Sequence, residues 1–76
     1  MDRKVIEELD AICVAIRKGG LEPYDQLYGY VTSGKTESIT RTENARERIK
    51  RIDIALIHEY VRRMEKDHGK KIHQGE

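Results

Sequence analysis

The sequence predicts an all-α fold: a small three-to-four-helix domain with a long C-terminal helix, shared between two copies as a homodimer. Three observations predict it. Apolar residues recur at three- and four-residue intervals through most of the chain. Glycine and proline fall between those periodic segments, where helices stop and start. No run alternates apolar and polar β-branched residues as a half-buried strand would. The 76 residues allow one domain, expected over 1–68, with 69–76 as a disordered tail.

In the first segment Val5, Leu9, Ile12 and Ile16 form one stripe, which Ile6 and Cys13 widen. Asp2 is placed to cap its N-terminus, and Gly19-Gly20 ends it after the cations Arg17 and Lys18. Pro23 suits the first position of a second, short helix, with Leu27, Tyr28 and Val31 on its apolar side. Thr32-Ser33-Gly34 closes it. Residues 35–42 are polar, with Ile39 as the lone apolar anchor, and Thr40-Arg41-Thr42-Glu43 fits a capping box. A third helix is expected from Thr42 to Asp67. Its first stripe is Ala45, Ile49, Ile52, Leu56 and Tyr60, and from Ile52 onward Ile54, Ile57, Val61 and Met64 add a second apolar side. A helix apolar on two sides needs two neighbours. A second copy is the expected cover, with Ile54, Ile57, Val61 and Met64 at the dimer interface.

Composition supports a shared core. Only 37% of residues are apolar, and there is no Trp or Phe. Domains this small usually draw stability from a disulfide, a metal or a partner chain. The single cysteine, Cys13, excludes an internal disulfide. No apolar run reaches the roughly 18 residues that would span a bilayer. Met1-Asp2-Arg3-Lys4 leads to Glu7-Glu8, not to a signal-peptide core. The expected location is cytoplasmic, with no membrane partner.

Two patterns point to chemistry that the context excludes. Gly29-x-x-x-x-Gly34-Lys35-Thr36 fits the phosphate-binding P-loop expression. It follows helix-start sequence rather than a strand, and the chain is too short for a parallel sheet with crossovers. Gly34 reads instead as a left-handed helix end, and Gly29 as a point of close helix packing. His58, His68 and His73 lack the spacing of a structural zinc site. No nucleophile–base or paired-carboxylate spacing is present, so no enzyme activity, metal or cofactor is expected.

Charge is concentrated in the middle. The whole chain is +1, but residues 35–51 hold six bases against three acids. Arg41, Arg46, Lys50 and Arg51 are the candidate partner-binding residues, through an acidic protein surface or nucleic acid. The bland reading is a solvated helix face with Glu43, Glu47 and Arg51 paired at four-residue steps. The near-neutral total and the interleaved glutamates argue against nucleic acid, and a small helical nucleic-acid-binding dimer is the alternative function.

One set of residues goes further. Gly20-Leu21-Glu22-Pro23 with Gln26, Gly29-Tyr30-Val31 with Ser33-Gly34, Ile39, Asn44-Ala45-Arg46, Ile49, Arg51, Leu56-Ile57, Glu59 and Val61 follow in order. In this series the chain resembles the IreB family of small regulatory phosphoproteins from Gram-positive bacteria. The resemblance implies a non-catalytic helical homodimer acting downstream of a membrane Ser/Thr kinase. It implies control of peptidoglycan synthesis and cephalosporin tolerance, through proteolysis of the pathway's first committed enzyme. The partner would be that kinase or the proteolytic and cell-wall enzyme machinery. The family's basic residues map to Arg41, Arg46 and Arg51, with Lys50 replacing an arginine. The chain departs from the pattern at Lys35, Thr36 and Ile54, where the family has an acid, a proline and an arginine. It also has no threonine before Thr32, where the family carries its phosphorylated ones. Thr36, Thr40 and Thr42 are open alternatives for modification.

Overall fold

The computed structural model describes residues 1–67 as four α-helices with two short 3-10 turns and, among those residues, no strand. The expectation of a disordered tail over 69–76 lies outside the described residues.

Helix α1 spans Arg3–Lys18 and α2 spans Pro23–Ser33. Asp2 caps α1 as expected, its Oδ1 accepting from the Lys4 amide at 3.1 Å. The C-terminal end of α1 is a Schellman turn: the Gly20 amide donates to Arg17 O and the Leu21 amide to Ile16 O, with Gly20 at φ +79°. Pro23 stands at the start of α2, and Gly34 closes it at φ 73°.

A 3-10 turn at Thr36–Ser38 and another at Thr42–Asn44 lead to α3, Ala45–Ile49, and then to α4, Ile54–Asp67. The single long helix expected from Thr42 to Asp67 is therefore two helices. Its apolar stripe explains why. Ala45, Ile49, Ile57 and Val61 are all buried. At 3.6 residues per turn, each four-residue step drifts by roughly 40°, so a straight helix would swing Val61 roughly 160° away from Ala45. A break resets the phase. The Arg51 and Ile52 amides turn back to Arg48 O and Ile49 O. Asp53 then starts α4, its Oδ1 accepting from the Ala55 amide at 3.0 Å.

The capping box at Thr40–Glu43 does not form. Glu43 and Asn44 both adopt the left-handed region, at φ 49° and 63°, which costs on the order of 1 kcal/mol each. That geometry turns Glu43 off the helix toward Lys18, whose Nζ lies 3.2 Å from its Oε2. Nor does the Glu43–Glu47–Arg51 series of helix-face pairs appear. Glu47 pairs with Lys50, and Arg48 crosses to Glu8 on α1 at 2.9 Å.

One core fills the space between the helices. Leu9, Ile12 and Ile16 from α1 meet Leu27 and Val31 from α2, Ile39, Ala45 and Ile49, and Ile57 and Val61 from α4. Helix α2 packs on α4, and α1 packs on α2 and α3. Part of the expected uncovered side of α4 is thus covered within the chain. Ile57 and Val61 are 0% and 3% exposed, Met64 is half-buried, and Ile54 is 37% exposed. Of the four residues expected at a dimer interface, only Ile54 and Met64 offer surface to another molecule.

Candidate functional site

The polar segment after α2 is held in place by a few specific bonds. Ile39 is fully buried and anchors it. The Thr40 amide donates to Gln26 Oε1 at 2.7 Å, fastening the segment to α2. Arg46 Nε donates to the Ile39 carbonyl at 2.8 Å, fastening it to α3. Two threonines close the turn: Thr40 Oγ1 accepts from the Thr42 amide at 3.2 Å and shares a hydrogen bond with Thr42 Oγ1 at 2.9 Å. Gly19 makes room for Thr42, because a Cβ there would stand 2.6 Å from its Oγ1.

These bonds shape a cleft of about 350 Å³ lined by Thr36, Glu37, Arg41, Asn44, Arg46, Glu47 and Lys50. Three of the four sequence-predicted partner-binding residues meet there. Arg51, one position past Lys50, is exposed and outside it. The cations differ in what they do. Arg46 is half-buried and spends its Nε on the backbone. Lys50 rests on Glu47 at 3.2 Å, an exposed pair that contributes little. Arg41 and Arg51 are exposed and have no ion-pair partner among the described residues. Glu37 and Glu47 lower the positive potential of the cleft without cancelling it. Lys50–Glu47 was readable from its three-residue spacing, whereas the arrival of Thr36 and Glu37 was not, because the segment is held by bonds from Gln26 and Arg46, distant in sequence.

A second surface lies between α1 and α4. Ile6, Asp10, Cys13, Val14, Arg17, Tyr60, Arg63, Met64 and Asp67 line a groove of about 420 Å³. Within it Tyr60 donates to Asp10 Oδ1 and contacts Cys13 Sγ at 3.6 Å. Burial pushes the Cys13 thiol up, which disfavours the reactive thiolate. Burial, then the bond donated to Asp10, drives the Tyr60 hydroxyl far above its ordinary range. Tyr24 on α2 repeats the arrangement with Glu65 on α4 at 2.7 Å. Desolvation, helped by that bond, holds its hydroxyl at about 12. Both tyrosine–carboxylate bonds tie α4 to a helix more than forty positions away in sequence, which no local pattern reveals.

Among the described residues, no group of His, Cys, Asp and Glu could hold a metal ion, and no helix is long and apolar enough to cross a membrane. No solved structure matches the chain. The family model of the IreB regulatory phosphoprotein matches residues 1–66, which takes in all four helices but the final residue of α4, and with them the whole basic cleft. The chain belongs to the IreB regulatory phosphoprotein family.

Proposed function

We propose that this chain is a non-enzymatic cytoplasmic regulator that docks a protein partner on the basic surface of Arg41, Arg46, Lys50 and Arg51. Its pathway is the one the family resemblance implies: control of peptidoglycan synthesis and antibiotic tolerance, downstream of a Ser/Thr kinase. One observation carries the reading. Arg41, Arg46 and Lys50 line one cleft, and Arg41 there, like the neighbouring exposed Arg51, has no ion-pair partner among the described residues. Exposed cations left over beside a cleft are suited to a partner's acidic groups. Glu37 and Glu47 in the same cleft weigh against a phosphodiester backbone, so nucleic acid is the second choice.

The test is a double charge reversal, Arg41→Glu with Arg51→Glu. Co-purification from the native host should lose its specific partner while the circular dichroism spectrum stays unchanged. Undiminished capture would remove the assignment. Arg46 is unsuited to this test because it holds the segment in place. A salt titration against a DNA or RNA probe addresses the alternative: a steep log–log slope would favour it.

The homodimer belongs to the same proposal. Val14 is 48% exposed beside the half-buried Ile6 and Met64, along the groove between α1 and α4. Asp10 and Asp67 stand with Arg17 and Arg63 on its border. Two charges of each sign suit a twofold contact, in which the same patch meets itself. Sedimentation of the wild type and of Val14→Glu should give a dimer and a monomer; a wild-type monomer at micromolar concentration would reject it.

A further inference from the structure

All six Ser and Thr residues lie between positions 32 and 42, and five of their hydroxyls are engaged. Thr32 Oγ1 donates to Tyr28 O at 2.8 Å. Ser33 Oγ donates to Gly29 O at 2.8 Å and accepts from the Lys35 amide at 3.0 Å. Ser38 shares a hydrogen bond with Ser33 at 3.3 Å, and Thr40 and Thr42 are bonded to each other. Thr36 alone has no hydrogen bond from its hydroxyl among the described residues. It also lines the cleft with Arg41, Arg46 and Lys50. Its 3-10 turn, Thr36–Ser38, buries no residue, so opening it for an enzyme costs little.

We propose that Thr36 is a phosphorylation site, and that the added phosphate occupies the basic cleft and closes it to the partner. The second half rests on the partner-docking reading given above. The Thr36 hydroxyl oxygen attacks the γ-phosphorus of a nucleoside triphosphate held by a Ser/Thr kinase. The bond to the β–γ bridging oxygen breaks, the nucleoside diphosphate leaves, and the hydroxyl proton passes to a base of the kinase. The product carries nearly two negative charges and three acceptor oxygens. Arg41 offers a guanidinium fork that has no ion-pair partner among the described residues. Lys50 can exchange its weak pair with Glu47 for the phosphate. Glu37 and Glu47 oppose this, and the cations Arg41, Arg46 and Lys50 outnumber them.

Two measurements test it on the full chain. Protein purified from its native host with phosphatase inhibitors is mapped by fragmentation mass spectrometry. Phosphate on Thr36 supports the proposal; phosphate only elsewhere, or none, overturns it. Chain with genetically encoded phosphothreonine at 36 is then titrated by phosphorus NMR. The second ionisation should fall by about 0.5 unit or more below that of a short phosphothreonine peptide, because cations favour the dianion. Arg41→Gln with Lys50→Gln should restore it. An ionisation equal to the peptide's, or unmoved by the double variant, overturns the cleft assignment. Neither readout involves a partner. If both succeed while Arg41→Glu with Arg51→Glu still captures the partner, it is the docking reading that fails. Where docking holds, phosphothreonine at 36 should weaken capture about tenfold or more, the scale of a desolvated charge pair; unchanged capture overturns the closing role.

Discussion

Replacing Arg46 with glutamine should destabilise the fold, although Arg46 sits among cations whose expected role is recognition. Its Nε donates at 2.8 Å to the carbonyl of Ile39, whose side chain is fully buried. Hydrogen bonds from charged donors contribute about 1.5–3 kcal/mol. The half-buried site leaves water some access to the orphaned carbonyl, so the low end applies, about 1.5 kcal/mol. For a domain of this size each 1 kcal/mol moves the melting temperature by roughly 4–8 °C. Arg46→Gln should therefore melt roughly 6–12 °C below the wild type when followed by far-ultraviolet circular dichroism. Arg41→Gln, exposed and without an ion pair, is the matched control and should stay within about 0.5 kcal/mol of wild type. If the two variants melt together, the Arg46–Ile39 bond does not hold the segment, and Arg46 returns to the set of purely recognition-bearing cations.

Three further outcomes follow from the packing. Gly19→Ala should cost about 1–3 kcal/mol in urea denaturation, because its methyl would press on Thr42 Oγ1 from 2.6 Å away; Gly19→Ala with Thr42→Ser should not recover it, since the hydroxyl remains. Ile57→Ala, at a fully buried position, should cost about 2–5 kcal/mol, whereas Ile54→Ala should change monomer stability by less than about 1 kcal/mol; equal losses would contradict the packing of α4. Alkaline stability has a definite sign. The Tyr24 hydroxyl is raised from 10.0 to about 12, and Tyr60 is raised further. The folded state keeps these protons more tightly than the unfolded chain, so its stability is intact below pH 10 and declines as pH rises through 12. Denaturant melts across that interval should show the decline, and Tyr24→Phe with Tyr60→Phe should flatten it.

The sequence was most legible where one residue decides the local geometry. Asp2, Pro23, Gly20 and Gly34 mark helix ends that the structure keeps. It was least legible from Thr40 to Asp53, where local preference and the shared core disagree. Apart from Asp53, the residues from Ala45 to Met64 are compatible with one continuous helix, with neither Gly nor Pro among them. The interruption comes from the need to bury Ala45, Ile49, Ile57 and Val61 on one side. The change of pattern at Ile52 was the visible trace of that need, and it suggests a second helix as readily as a second apolar side. Asp53, a strong N-cap residue in mid-pattern, was the overlooked cue. The family's basic residues were legible by resemblance. Their division into a structural Arg46 and outward Arg41 and Arg51 was not, because it turns on a side chain reaching the backbone seven residues away. Gly29 was expected to allow close packing, yet a Cβ there would meet Ser38 at an ordinary 3.5 Å, so alanine fits without strain.

Helix α3 has only five residues, too few to persist without support. Its position is set by what it leans on: Ala45 and Ile49 in the core, and Arg48, whose Nε donates to Glu8 on α1. Arg46, the cleft cation that α3 carries, thus rides on a segment held in part from near the start of the chain. Loss of either support, the Glu8 carboxylate or the buried Ala45 and Ile49, should leave Arg46 without a fixed place.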